Sequence, residues 1–508
     1  MNAWKKLLAL LLVLVLALSL TACGSKKTEE PAPAAEEAVE EPAAEEVAEE
    51  PAEEPAEEAA EEPAEEAAAE EPAEEEVAEE PAEETVAAAS TGDVAPIAVE
   101  NFGSGTLEVR IWDNTQLAGL KEIADLWSEQ SGVQVNIQVI TWDDYWTMLE
   151  AGASGGEMPD VFWMHSNNAE MYMAANKLLD LTPYIEASEV TDMSNYLQGV
   201  TELYSKDGKY YAIPKDHDTI GLLYNEAMFE KYGVDVPTDD MTWEQYGEKA
   251  KAITEAAKAA GDDGVYGIAM NTTNDQDGYF NAIYAYGGYV ISEDRKSSGW
   301  DNENTKKAME FIVNMLAEAG TPQATVAENG TDTLFTSGLA AMITQGTWMI
   351  RSFMESDDAA NYKWAMLPYY DANGNGECDE GERMTIYNGL GWSASADTKL
   401  PDAAYSLIEW FGSKAMQLKQ SELGVTMAAY DGCSEAFADA FEAMGVDISA
   451  FIRMENEATL VFRPYSKYTS RWSDEYQKNL VNAWQDPSQL DSILDGLATS
   501  MNNWLAQE

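Results

Sequence analysis

Between Asp371 and Glu382 the chain reads Asp-Ala-Asn-Gly-Asn-Gly-Glu-Cys-Asp-Glu-Gly-Glu, which sets oxygen-bearing side chains at alternating places. Asp371, Asn373, Asn375, Glu377, Asp379 and Glu382 stand where a chain wrapped around a hard cation needs its ligands, with glycine at the sharp turn, so a structural calcium ion is expected. A polar hairpin turn is the competing reading, because Asn-Gly steps also make turns. Other metal chemistry is poorly provided for. His165 and His217 are the only histidines, which excludes histidine metal centres and paired-histidine catalysis. Cys378 and Cys433 show no metal or redox spacing, and a disulfide between them stays open. The abundance of Asp and Glu also leaves open a pair of carboxylates of the kind that cleaves glycosides.

The two ends of the chain differ in kind. Lys5 and Lys6 precede an apolar run from Leu7 to Leu20, followed by Thr21, Ala22 and Cys23. This is a secretory leader, too short for a comfortable membrane span. From Glu29 to Glu84 variants of Pro-Ala-Glu-Glu repeat, with 27 glutamates and neither an aromatic residue nor a cation. Such a segment cannot bury a core, so a disordered, extended tether is expected over residues 23–105. Without those glutamates the formal charge goes from -64 to -37, so the rest is itself acidic. Nucleic acid and anionic lipid are poor partners for it.

From Thr106 onward the density of aliphatic and aromatic residues is that of a folded protein, with chain enough for two lobes. Leu107, Val109 and Ile111 alternate as in a strand; Leu120, Ile123, Ala124 and Trp127 recur at helical spacing; Val133, Val135, Ile137 and Val139 alternate again. A helix from Trp142 to Ala153, a Gly155-Gly156 break and an apolar strand at 160–164 complete a β-α-β-α-β order. That order implies a parallel sheet with right-handed crossovers, and ligands of such sheets lie beyond the carboxyl ends of the strands. Trp112 and Trp163 both fall at that rim. Farther on, helices are expected around Ala308–Leu316 and Ala404–Phe411, and two strands, 362–369 and 383–390, joined by the polar 371–382 turn.

Longer stretches resemble a family. Gly221-Leu-Leu-Tyr-Asn-Glu-Ala-Met-Phe-Glu-Lys-Tyr-Gly233 followed by Met241-Thr-Trp-Glu244 resembles the strand, helix and Thr-Trp cap of bacterial carbohydrate-binding proteins of the maltodextrin-binding type. Asp160-Val-Phe-Trp163, Asp207-Gly-Lys-Tyr-Tyr-Ala-Ile-Pro214, Phe335-Thr-Ser-Gly-Leu-Ala-Ala-Met342 and Gln345-Gly-Thr-Trp348 resemble further segments in the same order. Leu20-Thr-Ala-Cys23 resembles a lipobox, which implies lipidation at Cys23 after removal of residues 1–22. The resemblance implies an α/β, two-lobed periplasmic-binding-protein-like fold, each lobe a mixed sheet flanked by helices, with ligand in the cleft. It puts residues 106–217 and about 365–412 in the first lobe, and 218–364 with about 413–508 in the second.

By the same resemblance Trp112, Trp163, Ser166 and Asn167 would touch sugar from the first lobe. Asp218 would bond sugar hydroxyls, Asp277 and Tyr279 would form a contact loop on the second lobe, and Trp348 and Trp472 would stack. Ser166 and Asn167 replace the acidic and basic residues of maltodextrin-binding members, which argues against maltose itself. Flat rings suit the C–H face of a pyranose and carboxylates its hydroxyl rim. The implied function is capture of a mono- or oligosaccharide without turnover, by a monomer anchored outside a Gram-positive cell and serving the permease subunits of an ABC importer. A lipid-anchored glycoside-processing enzyme and a polyamine binder are the alternatives.

Overall fold

The alternation at 105–111 gives strand β1 (Gly105–Ile111), with Leu107, Val109 and Ile111 fully buried. Helix α1 (Leu117–Ser131) lays Leu120, Ile123, Ala124 and Trp127 on that face and stops at Gly132, whose left-handed φ of 76° lets the chain reverse into β2 (Val133–Val139). Helix α2 (Trp142–Gly155) and strand β3 (Val161–Met164) follow. Strands β2 and β3 flank β1 and both run parallel to it, as the β-α-β-α-β pattern requires. The computed structural model describes residues 94–273 and 275–508. The leader, Cys23 and the tether as far as residue 93 lie outside the described residues.

Strand β4 (Ile213–Pro214) closes the first sheet, and the chain then crosses to build a second one. There β5 (Ile220–Asn225), β6 (Tyr266–Ile268), β7 (Ala340–Gly346) and β8 (Tyr362–Met366) assemble in the order β8-β5-β7-β6. Helix α3 (Trp243–Ala260) covers this sheet; its start is fixed by a capping box in which Thr242 and Gln245 bond each other's backbone N–H. Helix α4 (Glu303–Ala319) supplies Ala308, Ile312, Met315 and Leu316 to the same core.

Strand β9 (Met384–Tyr387) does not pair with β8 to make the expected hairpin. Its partner is β11 (Thr459–Phe462), parallel and 75 residues away by register, Met384 opposite Thr459. Strand β10 (Gly391–Ala394) then re-enters the first sheet antiparallel to β3, giving the order β2-β1-β3-β10-β4. The return to the first lobe thus comes after Tyr387 rather than near residue 365. It also lasts beyond 412: helix α5 (Pro401–Gly412) and the helix Lys414–Glu422 bury Leu407, Ile408, Phe411, Ala415 and Met416 in the first-lobe core. The C-terminal helices α6 (Thr469–Gln485) and α7 (Leu490–Leu505) cover the second lobe. Cys378 is exposed and Cys433 buried, both as free thiols, so no disulfide joins them.

The β9–β11 ribbon is the seam between the lobes. Leu460 and Tyr465 pack on the first-lobe cluster that contains Phe162, Met164 and Leu203, and Tyr387 is part of it. Gly199 of the first lobe faces Phe462 so closely that a methyl group there would overlap the ring. Gly199→Val should therefore wedge the seam and lower stability by about 1–3 kcal/mol. Denaturant unfolding checks this, and an unchanged midpoint would mean that Phe462 simply swings away.

Candidate functional site

Three chain crossings run side by side between the sheets. Lys215 N donates to Leu390 O and Asp218 N to Asn388 O (both 2.8 Å), while His217 N donates to Met427 O (3.3 Å). Asp216 pairs with Ala428 across the third crossing. Gly389 makes the close approach tolerable, since a Cβ there would strike Asp216 O. Every side chain from Lys215 to Thr219 is buried.

The charges in this strap are arranged with care for their burial. Lys215 Nζ lies 2.5 Å from Asp216 Oδ2, donates to Gln116 Oε1 (2.9 Å) and sits 4.5 Å from the centre of the Trp163 ring. Asp216 Oδ1 accepts from Leu390 N (2.7 Å). His217 is held between Ala428 O and Glu455, 3.2 Å from the carboxylate. Asp218 Oδ1 accepts from Thr347 Oγ1 (3.0 Å), which ties the strap to the segment carrying Trp348. Burial and the neighbouring Asp216 push the Asp218 carboxyl up to about 8.

Above the strap, at the carboxyl edge of the first sheet, rings gather. Trp112 packs 4.9 Å from both Trp163 and Tyr145, 5.1 Å from Trp142 and 5.8 Å from Trp146. His165, just beyond β3, lies 5.3 Å from Trp142; burial, then the Arg463 guanidinium, depress its pKa, so it is neutral. Trp112 is half-buried and Trp142 is 40 % exposed, so these two present surface. Trp163 has none: it lies beneath Trp112 and against Trp392 in the core, a support for the platform. Ser166 donates to Asn388 Oδ1 (2.7 Å), and Asn167 donates its backbone N–H to His165 Nδ1 (3.2 Å).

The second lobe answers with Arg463, just beyond β11. Its guanidinium pairs with Asp275, donates to Gln276 Oε1 (3.0 Å), and acts electrostatically on Asp277 as well as on His165 of the other lobe. Asp277 is 3 % exposed and its Oδ1 accepts no hydrogen bond; burial, then Asp332, push its pKa well up. Trp348 is half-buried, with its ring over Gly346, where a side chain would collide with it. Tyr279 and Trp472, expected as contacts, are core residues instead. Tyr279 is fully buried against Phe280 and Trp484, and Trp472 packs near Tyr476 with Nε1 bonded to Ser466. Farther out along the seam a cavity of about 580 Å³ is lined by Glu170 and Lys206 from the first lobe and by Arg295, Tyr465 and Lys467 from the second.

The 371–382 loop closes on itself. Asp371 accepts from the N–H groups of Gly374, Asn375 and Gly376, and Glu382 accepts from those of Ala372 and Asp379. Asn373 and Asn375 both donate to Asp379 Oδ2, and the Glu377 N–H donates to Asn375 Oδ1. Among the described residues no three acidic, histidine or cysteine side chains come together as a metal site would have them.

Two sheets are thus joined by a strap, with a ring platform on one and buried carboxyl groups on the other. The family described as bacterial extracellular solute-binding protein matches residues 112–418. The chain belongs to this family. It is 23 % identical over 313 residues to the galactooligosaccharide-binding protein of Bacillus subtilis, covering 59 % of this chain and 67 % of that one. It is 24 % identical over 330 residues to the maltotriose-binding protein of Pyrococcus abyssi, covering 63 % and 65 %. The chain thus spans about two thirds of the length of these relatives. Among solved structures, an ABC substrate-binding protein from Listeria monocytogenes in complex with cycloalternan superposes with a TM-score of 0.69 at 20 % identity, covering 80 % of this chain and 99 % of that one. That likeness shows the family's two-lobed fold.

Sequence patterns missed Trp142, Trp146, Asn388 and Arg463. The first two form an i, i+4 pair at the start of a helix, a signal that was there to use; the other two are lone polar residues without a motif.

The strap should make stability depend on pH. Asp218 binds its proton more tightly folded (about 8) than unfolded (~3.9), so its contribution is full below about pH 4 and lost on the way to about pH 8. His217 acts in the same direction. Burial alone would lower its pKa, but Glu455 raises it, so its contribution is present below ~6.5 and lost as pH passes the folded value. Melting temperatures from about pH 5 to about pH 8 should fall less steeply for Asp218→Asn than for the wild type; parallel curves would contradict this.

Proposed function

We propose that this chain is the extracellular carbohydrate receptor of an ABC importer, closing its lobes over a mono- or oligosaccharide and passing it on unchanged. The observation that carries the reading is the pairing of indole surface at Trp112 and Trp142 with the buried carboxyl of Asp277, whose Oδ1 accepts no hydrogen bond, in the other lobe. Stacked rings cover the C–H faces of a sugar, while buried carboxyls and a guanidinium serve its hydroxyls. Related proteins are named for galactooligosaccharide, maltotriose and lactose, which supports the same class.

Ligand contacts on both lobes are complete only when the cleft is shut, so binding shifts the population toward the closed form that the permease subunits would recognise. Attachment through a lipidated Cys23 and the acidic tether would hold a monomeric receptor at the outer face of a Gram-positive membrane. No chemistry on the sugar belongs to this role.

A thermal-shift screen of mono- and oligosaccharides tests the proposal, with sugar consumption assayed alongside. A neutral sugar should raise the melting temperature without being consumed; turnover at catalytic protein concentration would make the chain an enzyme. Trp348→Ala and Trp112→Ala should each weaken binding by ~30-fold or more, the scale of a buried aromatic anchor, while the unliganded protein stays folded. Retained affinity in both would place the ligand elsewhere.

Calcium in the 371–382 loop is a separate part of the proposal, supported by ligand spacing. The expected result is a melting temperature lowered by chelator and restored by calcium; no change in either step would leave the loop as the self-bonded turn described above.

A further inference from the structure

Beyond the ring platform the seam opens into the cavity of about 580 Å³, walled by Glu170 and Lys206 of the first lobe and by Arg295, Tyr465 and Lys467 of the second. Small-molecule sites occupy about 300–1,000 Å³, so this one has room for a guest. Its lining holds four basic and four acidic side chains. With the signs equal, neither an anion nor a cation is favoured, whereas a hydroxyl group both donates and accepts and can use both.

Arg295 is the group held in place among them. Its φ of 57° is left-handed, uncommon for any residue but glycine, and its N–H closes the turn by donating to Ser292 O (2.7 Å). The guanidinium lies over the ring of half-buried Tyr465, 4.6 Å from its centre. Lys206 is held by Glu170 and Lys296 by Asp294, but among the described residues the Arg295 guanidinium has only Tyr465. A guanidinium laid on a ring keeps its in-plane N–H groups free to donate. Across the cavity the Glu170 carboxylate, with one cation as partner, still has lone pairs to accept with. Two neighbouring sugar hydroxyls could thus be met from opposite lobes.

The cavity and the platform share elements but no lining residue. His165, beside Trp142, caps the helix Ser166–Ala174, and Glu170 stands five residues along it, about 7.5 Å of helical rise away. On the other lobe Tyr465 comes two residues after Arg463, whose charge reaches His165. A sugar ring in the cavity therefore leaves the platform free, and a chain of rings can occupy both. We propose that this cavity is an outer subsite, taking the far end of an oligosaccharide seated on the Trp112 and Trp142 platform, with Arg295 as the residue that reads its length. The inference rests on the carbohydrate reading above and narrows it.

The test is calorimetric titration of the full chain with two series: glucose, maltose and maltotriose, and galactose, galactobiose and galactotriose. In at least one series the trisaccharide should bind ~10-fold or more tightly than the monosaccharide. Arg295→Gly suits the left-handed turn, so the variant keeps its fold; it should weaken the trisaccharide ~10-fold and leave the monosaccharide within ~2-fold. Glu170→Gln, on the facing wall, should show the same length-selective loss, and it decides the matter if Arg295→Gly does not fold. Monosaccharides that bind as tightly as their trisaccharides overturn the proposal while leaving the carbohydrate reading in place. A folded variant that keeps its trisaccharide affinity, or loses affinity for one ring and three alike, removes the cavity from this role. Binding of none of these sugars defeats the carbohydrate reading and this proposal with it.

Discussion

The structure depends on a strap of three buried crossings, 215–219, 388–390 and 426–428, hydrogen-bonded to one another between two sheets. The strap carries ionisable groups away from water, which is tolerable only because each is met. Lys215 has Asp216 and the Trp163 face, Asp216 has the Leu390 N–H, and His217 has Ala428 O and Glu455. Removing one member would strand the next in a low-dielectric interior.

From this strap the rings and polar groups of the candidate site are reached within one or two residues. Asp218 positions Trp348 through Thr347; Asn388 receives Ser166 and adjoins His165; Lys215 supports Trp163, which supports Trp112. The ring platform belongs to one lobe and Arg463 with Asp277 to the other, and they meet along the β9–β11 ribbon. The same residues that seat the rings thus also hold the crossings.

Much of this was legible in the chain. The alternation at 105–111 and 133–139, the helical spacing at 120–127 and the apolar 161–164 strand identify the parallel β-α-β-α-β start without help from elsewhere, because local periodicity decides those elements. The ribbon was not legible. Strand β9 pairs with a segment 75 residues later, and nothing in the alternation of 384–387 says which edge it will find. The lobe limits failed for the same reason. Among the rings, Trp112 and Trp163 lie together at one rim, but an aromatic residue reads alike whether it keeps exposed surface or is buried in the core; Trp163, Tyr279 and Trp472 are of the second kind. Arg463 and Asn388 take their importance from neighbours contributed by distant segments.

The most direct test is a crystal structure of the protein with a bound neutral sugar. The account predicts the sugar in the seam, stacked on Trp112 or Trp142 and donating to the carboxyl of Asp277, with the three crossings still bonded to one another. A sugar seated outside the seam, or touching one lobe alone, would contradict it.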